Sequence, residues 1–228
     1  EARTPLPSHP EPSSPGERSS PVLKPALENP KLPRSRVLDV AELEQRIDSA
    51  GTPTTRGLFF NALSAAVMKL AGPVADQKVR KAAVEPKPWV DQLSYPTSEF
   101  LRMLWKAVEQ VLPRARNVDE AFELLGASVM DALVRSPFGR ALEGQKERYP
   151  EAIMKPLMAT LNPMIAPGQR LVSSVESGKA VLVFKEEVLP IQLYIGLLRS
   201  LVQAFYKLPI EARWEKPSAQ RIELNIAW

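Results

Sequence analysis

Cysteine is absent from all 228 residues, which removes disulfides, thiolate nucleophiles and every cysteine-based zinc or iron–sulfur site. That agrees with a reducing, cytoplasmic setting, although a secreted bacterial chain can lack cysteine too. Histidine is nearly absent: the single residue is His9. A Ser-His-acid triad therefore has no base beyond the first few residues, and no G-x-S-x-G elbow occurs, so ordinary hydrolase chemistry is not expected. Neither G-x-x-x-x-G-K-S/T nor G-x-G-x-x-G is present, and Gly57 and Gly139 stand alone, so no phosphate-cradling loop is expected. No apolar run approaches the roughly 18 residues of a spanning helix. Charge of one sign is also scarce: 30 Lys plus Arg against 26 Asp plus Glu leave a net +4. With no dense basic cluster, specific nucleic-acid binding is not expected. The polar, proline-rich start argues against a signal peptide. The lack of an initiator methionine at Glu1 leads us to expect further chain upstream.

What is present is enough apolar material, 44% of residues, for one good core. Residues 1–36 hold nine of the 23 prolines with isolated apolar residues, and read as a flexible tail or linker. Within it, "PLPSHP" and "PKLP" have the spacing of a proline-groove ligand, a pattern also common by chance. Residues 37–228 read as a single α+β domain, with a helical part over 37–166 and a sheet-plus-helix part over 167–228.

Helical spacing begins with Val40, Leu43 and Ile47, and Thr52 followed by Pro53 is expected to start the next helix. In "RGLFFNALSAAVMKLAG" Phe59, Leu63, Ala66, Val67 and Leu70 share one side and Phe60 begins a second surface. Further helices are expected over "PVADQKVRKAAV" and over "PTSEFLRMLWKAVEQVLP", the latter with Phe100, Leu104, Ala107, Val108 and Val111 on one face. Another should follow a capping box at Asn117 and Glu120, and one more starts after Ser136. In "YPEAIMKPLMATLNPM", Pro156 and Pro163 predict a kink or a division. The period then changes. Two strands flank Ser177-Gly178, a helix carries Leu193, Leu197, Leu201 and Phe205, and two more strands end the chain, with Ile222, Leu224 and Ile226 on one face. The expected architecture is thus an N-terminal helical assembly followed by a β-β-α-β-β antiparallel unit after a proline-rich tail.

On "RGLFFNAL", "YPTSEFLRMLWKAVE", "AFELLGASVMDALVRSPFGRAL" and "YIGLLRSLVQAF", the chain resembles a myxobacterial paralogous family of unknown function, over about residues 37–228. The resemblance implies a soluble bacterial accessory or signalling module and carries over no catalytic residue. By element order alone it is also similar to the heme nitric-oxide-binding domain and to its small-molecule-binding and vesicle-tethering relatives. That domain uses a proximal histidine and a tyrosine-serine-arginine constellation near the heme propionates. Here His9 lies in the tail and no Tyr-x-Ser-x-Arg spacing occurs, so histidine-ligated heme is excluded by inventory, leaving only tyrosine or methionine ligation open.

The remaining candidates are weighed against ordinary structural roles. Met154 and Met158, four apart, suit core filling first, then an apolar cavity with Phe59, Phe60 and Leu104, and only last a metal. Arg56, Arg135 and Arg140 can offer planar cationic forks to an acidic partner, against the simpler reading of solvated surface. Glu186 and Glu187, Asp119, Glu120 and Glu143 sit at element ends, where capping and solubility explain them. Trp214 is expected on the outer face of its strand, as an interface anchor. The expected function is therefore a non-enzymatic regulatory or scaffold module, without cofactor, that binds a protein partner. The alternative is a sensory domain binding a small molecule or lipid in an apolar pocket between helices and sheet.

Overall fold

The computed structural model describes residues 53–83 and 88–228. The proline-rich tail with His9, the helix expected around Val40, Leu43 and Ile47, and Thr52 lie outside them.

The first element corrects an expectation. Pro53 does not start a helix; Thr54–Arg56 forms a strand, β1, paired antiparallel with β2, Ser94–Pro96. On its other side Thr55 bridges Ile165. Helix α1 begins only at Gly57 and runs to Ala71. Its first amides are satisfied by a neighbouring loop: Gly57 N–H donates to the Leu93 carbonyl at 2.9 Å and Leu58 N–H to that of Asp91 at 3.3 Å. A capping side chain is therefore not needed.

Helices α2 (Pro73–Arg80) and α3 (Thr97–Val111) follow, and an aromatic knot ties Phe60 of α1 to α3 and the segment before it. Its ring lies 5.3 Å from Trp89, 5.6 Å from Tyr95 and 5.3 Å from Phe100. Helix α4, Val118–Val134, is capped by Asn117, whose side chain accepts from the Glu120 N–H at 2.9 Å. Only half of the expected capping box forms, because the Glu120 carboxylate accepts from the Arg116 N–H instead. Ser136 caps α5, Pro137–Glu143. Helix α6, Glu151–Leu161, runs through Pro156 undivided, and Pro163 falls beyond its end.

The sheet consists of β3 (Gln169–Glu176), β4 (Lys179–Lys185), β5 (Glu211–Ser218) and β6 (Arg221–Ala227), with α7 (Ile191–Tyr206) between the two hairpins. The strand order is β3-β4-β6-β5 and every pairing is antiparallel. The expected β-β-α-β-β unit is found. Directly paired residues share a face, so register defines the inner surface in rows. Arg170, Phe184 and Ile222 form one row; Val172, Leu182, Leu224 and Trp214 form the next; Val175, Ala180, Ile226 and Ala212 form the third. Trp214 thus lies on the inner face, half-buried against the core, and not on the outer face expected for it.

Helix α7 is buried along most of its length, and its widest interface is with α4. Two glycines allow the backbones to touch there. A Cβ on Gly126 would sit 2.1 Å from the Leu193 carbonyl oxygen, and one on Gly196 would sit 2.0 Å from that of Glu123. "RGLFFNALSAAVMKLAG" is therefore a core helix, and among the described residues no helix is long and apolar enough to cross a membrane.

Candidate functional site

Three buried polar side chains meet where the helical part runs into the sheet. Arg170 occupies an inner-face position of β3 where the strand pattern calls for an apolar residue, and it is 1% exposed. Its Nη2 lies 2.7 Å from Oε2 of Glu187, which comes from the loop after β4. Neither of those two atoms has a hydrogen-bond partner apart from this ion-pair contact. Arg170 Nε donates to the Tyr194 hydroxyl of α7 at 2.6 Å and Nη1 donates to the Ile165 carbonyl at 2.8 Å. The guanidinium also stands 5.5 Å from the centre of the Tyr194 ring, which packs on Phe184.

Local backbone geometry presents the pair. Asn162 brackets Arg170, accepting its N–H at 2.8 Å and donating to its carbonyl at 2.9 Å. Glu187 Oε1 accepts from the amides of Val188, 3.1 Å, and Leu189, 3.0 Å. Gly168, at φ 118°, is required twice over: its backbone favours glycine, and a Cβ would meet Glu187 Oε2 at 3.1 Å. The connecting segment is also tied to the first strand pair. Arg56 N–H donates to the Met164 carbonyl, Ala166 N–H donates to that of Thr54, and the Thr97 hydroxyl donates to that of Ala166. The joint therefore couples β1, α3, α6, β3 and α7.

Burial pushes the Glu187 carboxyl upward, opposed by the Arg170 charge and the Leu189 amide. Burial likewise pushes the Tyr194 phenol well above its ordinary value, so it remains a neutral donor and acceptor. Arg170 loses hydration on burial, yet its partners more than compensate and hold it as a cation. Such an arrangement can fix an angle between elements; with all its charge matched internally, it does not resemble a catalytic acid or base.

None of the three was singled out as a functional candidate from the sequence. Glu187 was expected to be a solvated strand-end residue, and its near-complete burial corrects that. The available signal was Arg170 itself, two residues before Val172 on the inward side of an alternating strand.

The sequence candidates do not converge. Arg56 stands at the start of α1 and its guanidinium donates to the Gln92 carbonyl. Arg135 ends α4 and Arg140 lies on α5, both exposed. Among the described residues no hydrogen bond, ion pair or ring contact joins any two of Arg56, Arg135, Arg140 and Trp214. Phe59, Phe60, Leu104, Met154 and Met158 are all at most 2% exposed and belong to one continuous core. An open groove of about 330 Å³ instead runs between α4 and α7, lined by Asp131, Arg199, Ser200, Gln203 and Lys207. Burial raises Asp131, but Lys69 at 2.7 Å and the Ser200 hydroxyl outweigh it and hold the carboxyl below its usual range.

No curated protein matches the sequence. Several solved structures share the fold. An unliganded Fe(II) H-NOX protein from K. algicida is 13% identical, with 76% of this chain and 96% of that one covered and a TM-score of 0.59. A substituted H-NOX protein from S. oneidensis in the Fe(II) ligation state is 15% identical, covering 76% and 95%, with a TM-score of 0.61. An oxygen-binding H-NOX domain related to soluble guanylate cyclases, in its oxygen complex, is 16% identical, covering 76% and 94%, with a TM-score of 0.57. At these identities the likeness is one of fold.

Histidine-ligated heme does not fit the described residues. The described residues contain neither histidine nor cysteine, and no group of three or more His, Cys, Asp or Glu among them could hold a metal. The methionines considered as soft ligands, Met154 and Met158, are packed into the core. Over residues 51–228 the sequence matches the family described as protein of unknown function (DUF2378), and the chain belongs to that family.

Proposed function

We propose that the chain is a non-enzymatic sensory domain that takes a small ligand without histidine-ligated heme and passes its occupancy along α7 to the buried Arg170–Glu187–Tyr194 joint. The observation that carries this reading is the pairing of an H-NOX-like fold with a folded region that lacks histidine and has a matched ion network at its centre. The ligand-binding alternative is thereby favoured over a scaffold. Its expected chamber is not, since Phe59, Phe60, Leu104, Met154 and Met158 would have to leave the core to open one.

Narrower readings belong to the same proposal. A cytoplasmic setting is supported by the absence of cysteine, and a myxobacterial paralogue in a signalling role by the motifs quoted above. A protein partner would meet the exposed Arg135 and Arg140, at the end of α4 and on the adjoining α5. Trp214, packed inward, is left out of that surface.

Native mass spectrometry and hemin titration test the reading together. It expects a small ligand bound one per chain that raises the unfolding temperature, and no histidine-type heme spectrum. Stoichiometric hemin binding with such a spectrum would contradict it.

A further inference from the structure

The C-terminal end of α7 carries an arrangement that the joint does not use. Lys146, on the loop between α5 and α6, holds its ammonium 5.8 Å from the centre of the Phe205 ring and 5.5 Å from that of Tyr206. The two rings meet edge to face, 6.5 Å apart and inclined at 66°. Among the described residues Lys146 has no carboxylate at ion-pair distance, so two aromatic faces are its partners. The Tyr206 hydroxyl and Glu151 Oε2 are both buried without a hydrogen-bond partner. Burial raises the Tyr206 phenol, and the charges of Glu151 and Glu147 raise it further, so the surroundings of the ring are electronegative.

From the aromatic pair with the lysine standing over both rings, and the two orphaned oxygens of Tyr206 and Glu151, we infer that Phe205, Tyr206 and Glu151 form a cradle for a quaternary or methylated ammonium group, with Lys146 as its internal stand-in. Aromatic faces attract cations through the ring quadrupole, and methylated ammonium loses little hydration on entering such a cage. Lysine is more strongly hydrated and its loop is exposed, which suits a tethered competitor that a better cation displaces. The ligand chemistry is that of choline, whether as a small solute or as a lipid headgroup. Because Phe205 and Tyr206 lie in the last turn of α7, occupancy would act on the helix that Tyr194 anchors twelve positions earlier.

The use of this site rests on the sensory reading above, but its existence does not. Calorimetric titration of the full chain with choline chloride, with methylammonium chloride as control, tests binding. We expect choline to bind more tightly than methylammonium, and Lys146→Ala to tighten choline by about tenfold, the effect of removing a competitor present roughly 90% of the time. Tyr206→Leu, which keeps apolar bulk, and Glu151→Gln should each weaken it. Equal affinity for the two amines, or no gain in Lys146→Ala, would overturn the inference. Sedimentation with phosphatidylcholine vesicles separates the sources: co-sedimentation that choline competes away assigns the headgroup, and choline binding without it assigns the solute. Choline binding that leaves the amide spectrum of α7 unchanged outside its last turn would uphold the site and sink the sensory role.

Discussion

The two ends of α7 handle buried polar groups in opposite ways. At the Tyr194 end the hydroxyl, the guanidinium and the carboxylate satisfy one another, backed by the Ile165 carbonyl and the amides of Val188 and Leu189. At the Tyr206 end the hydroxyl and the nearby Glu151 oxygen have no partner, and a surface lysine stands over the rings. The same residue type on the same helix is closed at one end and incomplete at the other. A closed network fixes geometry, whereas an incomplete one leaves binding capacity unused. Between the two ends the backbone of α7 lies directly against that of α4 at Gly126 and Gly196.

The comparison is broken most forcefully at the ion pair. Glu187→Ala leaves the Arg170 cation buried and unpaired, which should cost about 3–5 kcal/mol in urea unfolding; replacing both members by apolar residues of similar volume should recover most of that. A small loss in the single variant would mean that the pair is not closed. Tyr194→Phe removes a hydrogen bond from a charged donor and should cost about 1.5–3 kcal/mol. It should also change the alkaline limb of stability. The folded Tyr194 phenol is held well above the unfolded value of about 10, so above that pH the unfolded chain sheds a proton that the native state keeps. Stability should fall as pH rises beyond about 10, and less steeply in Tyr194→Phe.

Gly196→Ala probes the connection between the ends. Its methyl group would lie 2.0 Å from the Glu123 carbonyl oxygen, so separation of α4 from α7 should cost about 1–3 kcal/mol. Arg199→Ala, which removes a partly exposed ion pair with Glu123, should cost no more than about 1 kcal/mol. Tyr206→Phe should cost nothing and gain up to about 1 kcal/mol, because it removes a buried hydroxyl that makes no hydrogen bond. A loss as large as that of Tyr194→Phe would erase the distinction between the two ends.

The element order was legible because hydrophobic spacing changes from helical to alternating near Gln169, and the faces of α3 and α7 were readable residue by residue. Strand β1 was not. It is three residues long, and its partners lie some 40 and 110 positions along the chain, at Ser94–Pro96 and Ile165. Trp214 shows how a single inference goes astray: Glu211, Arg213 and Glu215 alternate with Ala212 and Trp214, which places the tryptophan inward, against the outer face expected of an interface anchor. The joint was hidden for a different reason. Arginine and glutamate at strand ends are usually solvated, and their burial depends on a tyrosine delivered by a helix that local spacing cannot orient. The aromatic cradle was half visible, since Phe205 was placed on the buried face of α7, but nothing local links Lys146 to it.

Hydrogen exchange along α7 tests the asymmetry most directly. The account predicts that the amides around Tyr194 to Leu198 exchange only through global unfolding, while those of Ala204 to Lys207 open by a lower-energy local route. Uniform protection along the helix, or slower exchange at the Tyr206 end, would contradict it.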